Sequence, residues 1–232
     1  MEDDTHYDSD DDNEAAVVVN DMINEGNPNM YELSQVLDHI SNIDKYRDDT
    51  GRTWLADALC CGNMALANTF LDHRADPDIT DMRGQSAVHY AAQEASPLMM
   101  ERVLKMTKNI DAVDAAGNTP MHYALLFDSH LVRALIDAKC DLNIRDTTGS
   151  TPLHITVYHN IGQSLRILVE AGADQTIRNN NGQTPREYAI FYKRKDCADL
   201  LRTLPPGALT KSAAKRGRAP ESSVDEEPAV KK

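Results

Sequence analysis
A chain of 232 residues, 41% of them hydrophobic, can bury one extended core between polar ends. Its 37 carboxylates outnumber 24 Lys and Arg to give a formal net charge of −13, which argues against direct nucleic-acid binding, because counterion release needs several cations on one face. The four cysteines, Cys60, Cys61, Cys140 and Cys197, make no C-x-x-C pair, and no apolar run approaches the roughly 18 residues of a membrane span.

Residues 1–14 carry Glu2, Asp3, Asp4, Asp8, Asp10, Asp11, Asp12 and Glu14 without a Lys or Arg, so self-repulsion predicts a disordered tail. A signal peptide is basic and then apolar, unlike this start. The cysteines read as small buried residues in a reducing compartment, and the expected location is cytoplasmic, nuclear or both. Apolar residues at helical spacing over Val17–Glu25 and Met30–Ile40 predict two helices within residues 15–47.

Glycine then recurs at Gly51, Gly84, Gly117, Gly149 and Gly182, at intervals of 33, 33, 32 and 33 residues. Each opens nearly the same phrase: G-R-T-W-L-A-D-A, G-Q-S-A-V-H-Y-A, G-N-T-P-M-H-Y-A, G-S-T-P-L-H-I-T and G-Q-T-P-R-E-Y-A. A fixed period of this kind means stacked like units, starting near residues 48, 81, 114, 146 and 179, and it places function on a long surface. In the unit at Asp114, Asp-x-x-Gly marks a tight turn, and Thr119-Pro120 starts a helix with a capping oxygen and a preset φ. Ala124, like Ala58, Ala91 and Ala189, is small where two helices approach. Leu131, Val132, Leu135 and Ile136 give the second helix its apolar stripe, and Gly172 ends the equivalent helix in the next unit. The residue missing from the 32-residue interval falls near Phe127-Asp128-Ser129, between the two helices.

Pro205-Pro206-Gly207 stops the last helix. Residues 208–232 have little to bury and form a second expected disordered tail, of mixed charge with a basic cluster. Lys215, Arg216 and Arg218 resemble a short nuclear-import signal. Ser222 and Ser223, ahead of Asp225-Glu226-Glu227, and Ser9, ahead of Asp10-Asp11-Asp12, look like phosphorylation sites for an acid-directed kinase. The stretch from Pro220 to Pro228 looks like a turnover segment rich in Pro, Glu and Ser.

The period together with T-P-L-H-x-A resembles the ankyrin repeat, in five copies over about residues 48–203, with residues 15–47 as a degenerate sixth, capping repeat. The resemblance implies an all-α solenoid of stacked helix pairs with turn fingers over residues 15–207, and non-catalytic protein binding on a concave face. Two departures stand out. Trp54 occupies a position where proline is usual, and Arg186-Glu187 replace Leu-His in the last copy, as suits a terminal repeat whose outer face is wet.

His89, His122 and His154 recur at one position, about 10 Å apart by helix-pair width, too far to share a metal. They read as hydrogen-bonding partners of neighbouring turns. No nucleophile elbow, P-loop, zinc-protease or kinase phrase occurs, so neither an enzyme, a metal site nor a cofactor is expected. For partner binding, the finger tips and first-helix ends offer Arg83, Gln93 and Glu94, then an aromatic strip in the last three copies: Leu126, Phe127, Tyr158, His159, Phe191 and Tyr192. Phe127 and Phe191 could instead turn inward and close the gap between helices. Tyr90, Tyr123 and Tyr188 share another helical phase and read as packing residues. A monomer whose protein partner has a basic rim and an apolar centre suits the acidic body.

The functions in contention are an adaptor, scaffold or inhibitor, and a chromatin or peptide-tail reader that cages a cation. The chain resembles NF-κB-inhibitor-type ankyrin proteins in repeat number and turnover segment. Their D-S-G-x-x-S motif is approached only at Asp8-Ser9-Asp10, which departs at the glycine.

Overall fold
The computed structural model describes residues 9–24, 28–94 and 96–203. Twelve α-helices among them follow one another in consecutive pairs. The first pair is α1 (Ser9–Asn24) and α2 (Met30–Leu37). Five repeats follow: α3 (Trp54–Cys60) with α4 (Met64–Asp72), α5 (Ala87–Gln93) with α6 (Pro97–Leu104), α7 (Pro120–Ala124) with α8 (Ser129–Asp137), α9 (Pro152–Tyr158) with α10 (Gly162–Ala171), and α11 (Pro185–Phe191) with α12 (Lys195–Thr203).

One finger geometry precedes every repeat. The residue at Asp48, Asp81, Asp114, Asp146 or Asn179 turns its side-chain oxygen Oδ1 onto the backbone N–H groups two and four residues on, at 2.8–3.0 Å. Each glycine N–H donates back to the carbonyl of that same residue. The fingers are also joined to one another: Met82 N–H donates to Thr50 O (3.0 Å), Ala115 to Arg83 O (2.8 Å), Thr147 to Ala116 O (2.9 Å) and Asn180 to Thr148 O (3.0 Å). This close approach adds a steric reason for glycine at the inner fingers. A Cβ on Gly117, whose φ is already +78°, would lie 2.8 Å from the Thr147 backbone nitrogen.

The helices begin where the sequence predicts, with Thr53, Ser86, Thr119, Thr151 and Thr184 as N-caps and proline in the first turn of α7, α9 and α11. Ala58, Ala91, Ala124 and Ala189 are buried between helices, and Leu131, Leu135, Leu165 and Leu168 belong to one core that runs through the stack.

Two features differ from what the sequence suggests, and a third follows from it. Helix α1 starts at Ser9, within the acidic segment for which composition predicts disorder through residue 14. Asp12 accepts from Ser41, and its carbonyl accepts the Tyr46 hydroxyl at 2.7 Å, which ties this helix to the turn after α2. Cys60 is half-buried and Cys61 exposed, because they end α3 on its open side; Cys140 and Cys197 are buried as expected, and all four thiols are free. As the short interval implies, the third repeat has a changed turn, without the left-handed residue that Gly62, Asn160 and Lys193 supply in the first, fourth and fifth repeats at φ of 67°, 58° and 56°. Leu126 N–H and Phe127 N–H instead close tight bonds to Tyr123 O and Ala124 O.

Candidate functional site
The recurring histidines are structural. Nδ1 of His89 accepts the backbone N–H of Ser86 at 3.1 Å, Nδ1 of His122 that of Thr119 at 3.1 Å, and Nδ1 of His154 that of Thr151 at 3.2 Å. That assignment leaves the proton on Nε2, which His89 donates to Asn118 O (3.2 Å) and His154 to Gln183 O (3.0 Å), each in the next finger. His122 faces Ser150 O in the same sense, but its Nε2 makes no full hydrogen bond among the described residues. Burial pushes the pKa of all three below the ordinary histidine value. In the last repeat Glu187 takes over the capping half of this role, its Oε2 accepting Thr184 N–H at 2.9 Å. Among the described residues no group of three His, Cys, Asp or Glu is placed to hold a metal ion, and no helix is long and apolar enough to cross a membrane.

The aromatic strip lies at the first-helix ends and stands outward. Leu126 is 41% exposed, Phe127 54%, Tyr158 48%, Phe191 66% and Tyr192 39%, so neither phenylalanine turns in to close the gap between helices. His159, the C-cap of α9, is exposed as well. Tyr192 is the hub: its ring lies 4.7 Å from Tyr188, 5.1 Å from Phe191 and 5.6 Å from Tyr158, centroid to centroid, and Tyr158 lies 5.0 Å from His159. All four contacts are edge-to-face. Leu126 and Phe127 stand one repeat away and enter none of these ring contacts.

Tyr188 does more than the packing its phase suggests. Its ring sits 5.6 Å from His154, which couples the buried histidine ladder to the exposed cluster, and burial, with Tyr192 beside it, raises its pKa to about 12. Tyr90 and Tyr123 are packing residues with anchored hydroxyls, donating to Asp81 at 2.6 Å and Asp114 at 2.5 Å. Arg83 is exposed on the second finger, Glu94 is exposed at the end of α5, and Gln93 beside it is half-buried with an Nε2 that finds no partner among the described residues. These three belong to the second repeat, away from the ring cluster.

Three features of the cluster escape sequence reasoning. Ile190 is 56% exposed beside Phe191. Arg194 reaches from the fifth repeat to the fourth, donating from Nη2 to Tyr158 O at 3.1 Å. Lys193 and Lys195 stand exposed at the cluster's edge. Of these, only the run Lys193-Arg194-Lys195 is visible as a pattern in the sequence.

The cluster is open surface. Three cavities among the described residues lie away from it: about 320 Å³ between α4 and α6 beside Arg102, 410 Å³ around Asp44 and His73, and 320 Å³ under α1 beside Tyr46 and Trp54. Lys215, Arg216, Arg218, Ser222 and Ser223 lie outside the described residues, and Ser9 opens α1.

A family model for ankyrin repeats matches residues 66–146 and 126–209. Among curated proteins, the chain is similar to an ankyrin repeat protein of Rickettsia felis, 29% identical over 118 residues, which is 50% of this chain and 39% of that protein. It is similar to mouse Rabankyrin-5, 27% identical over 106 residues (40% of this chain, 9% of that protein), and to human Inversin, 33% identical over 87 residues (34% and 8%). The chain thus spans well under half the length of each of these relatives.

Proposed function
Because the chain belongs to the ankyrin-repeat family, we propose that it is a non-catalytic protein-binding module that acts, as a monomer, as an adaptor, scaffold or inhibitor of one protein partner. The partner docks on the first-helix ends of the last three repeats. What supports this reading is the group of large, outward rings around Tyr192, held edge-to-face against one another with no segment of the described chain over them. Rings fixed in this way bury much area on contact at little further loss of rotamer freedom, which is the property of interface anchors. Leu126 and Phe127 extend the surface by one repeat, and Arg83, Gln93 and Glu94 offer polar contacts further along. A surface without an enclosing cavity suits a protein better than a small molecule.

Regulation in the tails belongs to the same proposal. Lys215, Arg216 and Arg218 would direct nuclear import, and phosphate on Ser9, Ser222 or Ser223 would add negative charge beside carboxylates already there.

Replacing Phe127, Tyr158 and Tyr192 together by alanine tests the surface. The full chain is expected to lose its co-purifying folded partner about tenfold or more, with its melting temperature unchanged. An unaltered set of co-purifying proteins would overturn the reading.

A further inference from the structure
Resting on that binding surface, we infer what it receives: an acidic partner segment, in which Asp or Glu side chains flank apolar anchors such as Leu, Ile or Phe. The whole-chain charge of −13 suggests the reverse, a basic-rimmed partner, but charge is not spread evenly over the stack. Lys193, Arg194 and Lys195 follow Tyr192 directly, and Arg186 stands one turn before Ile190 on α11. Among the described residues none of these four cations has an ion-pair partner, whereas Arg52 has two and Arg102, Arg178 and Arg202 each have one.

The nearby carboxylates offset them only in part. Glu187 is engaged by Arg178 at 2.7 Å and by the Thr184 N–H, which leaves Asp196, among the described residues, as one acid beside four cations. Arg194 is the most constrained of the four. Its Nη2 is tied to Tyr158 O, and its Nε is buried without a partner among the described residues. A guanidinium is thus fixed beside the rings, its charge unpaired by any carboxylate among the described residues. The rim itself disfavours a cationic ligand, because an incoming cation would meet four like charges. Carboxylates at the rim with apolar side chains over Ile190, Phe191 and Tyr192 satisfy both halves of the site.

The test pans a displayed library of random peptides of about 12 residues on the full chain. Recovered sequences are expected to be rich in Asp and Glu beside Leu, Ile or Phe. A synthetic copy of the leading peptide should lose about tenfold or more in affinity on Lys193→Glu with Lys195→Glu, and should weaken as salt rises. Recovery of Lys- or Arg-rich peptides, or of none, would overturn the inference. So would binding indifferent to the two charge reversals. If Tyr158→Ala with Tyr192→Ala abolishes binding while the charge reversals do not, the acidic partner is wrong and the surface stands. If neither pair of changes matters, the surface is wrong as well. Binding that appears only after Asp225, Glu226 and Glu227 are changed to alanine would assign the site to the chain's own C-terminal segment and overturn a separate partner.

Discussion

His89 and His154 each hold a bond inside their own repeat and another into the next finger, while His122 holds the first but not a full second. His154→Ala strands the Thr151 N–H and removes one of the two donors to the Gln183 carbonyl, which keeps the Asn179 N–H, and should cost about 1–3 kcal/mol in urea unfolding; His122→Ala should cost less. These rings must stay neutral to accept at Nδ1. With folded pKa values below the unfolded value of about 6.5, their contribution is complete above that pH and is lost as pH falls through the lowered values. The urea midpoint should therefore drop between about pH 6.5 and 5 before carboxylates dominate, and a midpoint that rises on acidification there would contradict this assignment. Gly149 and Gly182 make a matched pair, with φ of +76° and +74°. Gly182→Ala meets no neighbour within 4 Å and should cost only the left-handed strain of about 1–2 kcal/mol. Gly149→Ala also drives its Cβ to 2.7 Å from Asn180 N, so it should cost clearly more in the same measurement.

At the scale of single elements, turn chemistry decides how each helix ends. Lys139 closes α8 in the left-handed region at φ 69°, where glycine is favoured, and the equivalent close of α10 uses Gly172 at 103°. Lys139→Gly should raise the melting temperature, by up to about 1 kcal/mol of stability, and a fall would show that the lysine stem packs usefully there. Helix starts were legible because Thr-Pro, or a single Ser or Thr, combines a cap with a defined φ. The residue missing from the third repeat was placed correctly because interval arithmetic confines it between two recognisable helices. The start of α1 was not legible. Charge composition points to disorder, whereas the outcome depends on Ser41 and Tyr46, which reach Asp12 from residues far along the chain. The outward strip could be read from repeat phase, since Leu126, Tyr158 and Phe191 fall at matching positions. The run Lys193-Arg194-Lys195 is visible too, but the exposure of Ile190, the Arg194 bond to Tyr158 O and the want of ion-pair partners for these cations could not be read, because they depend on how the fifth repeat's turn sits against the fourth.

Across the whole molecule each repeat is bonded to its neighbours, through fingers, histidines and helix packing, so stability is the sum of local pieces and junctions. Leu135 is fully buried in the middle repeat. Leu135→Ala should cost about 2–5 kcal/mol, and because it weakens the centre of a linear array it should broaden or split the unfolding transition seen by circular dichroism. One sharp transition of unchanged slope would show tighter coupling than nearest-neighbour packing provides. The histidine ladder also has a direction. Every Nε2 bond points toward the C-terminus, and Glu187, a carboxylate with no proton to give, stands where the ladder would next donate. The ladder thus ends in an acceptor where the second and fourth repeats offer a donor. A further repeat joined after α12 would gain the histidine bond only if Glu187 were also changed to histidine.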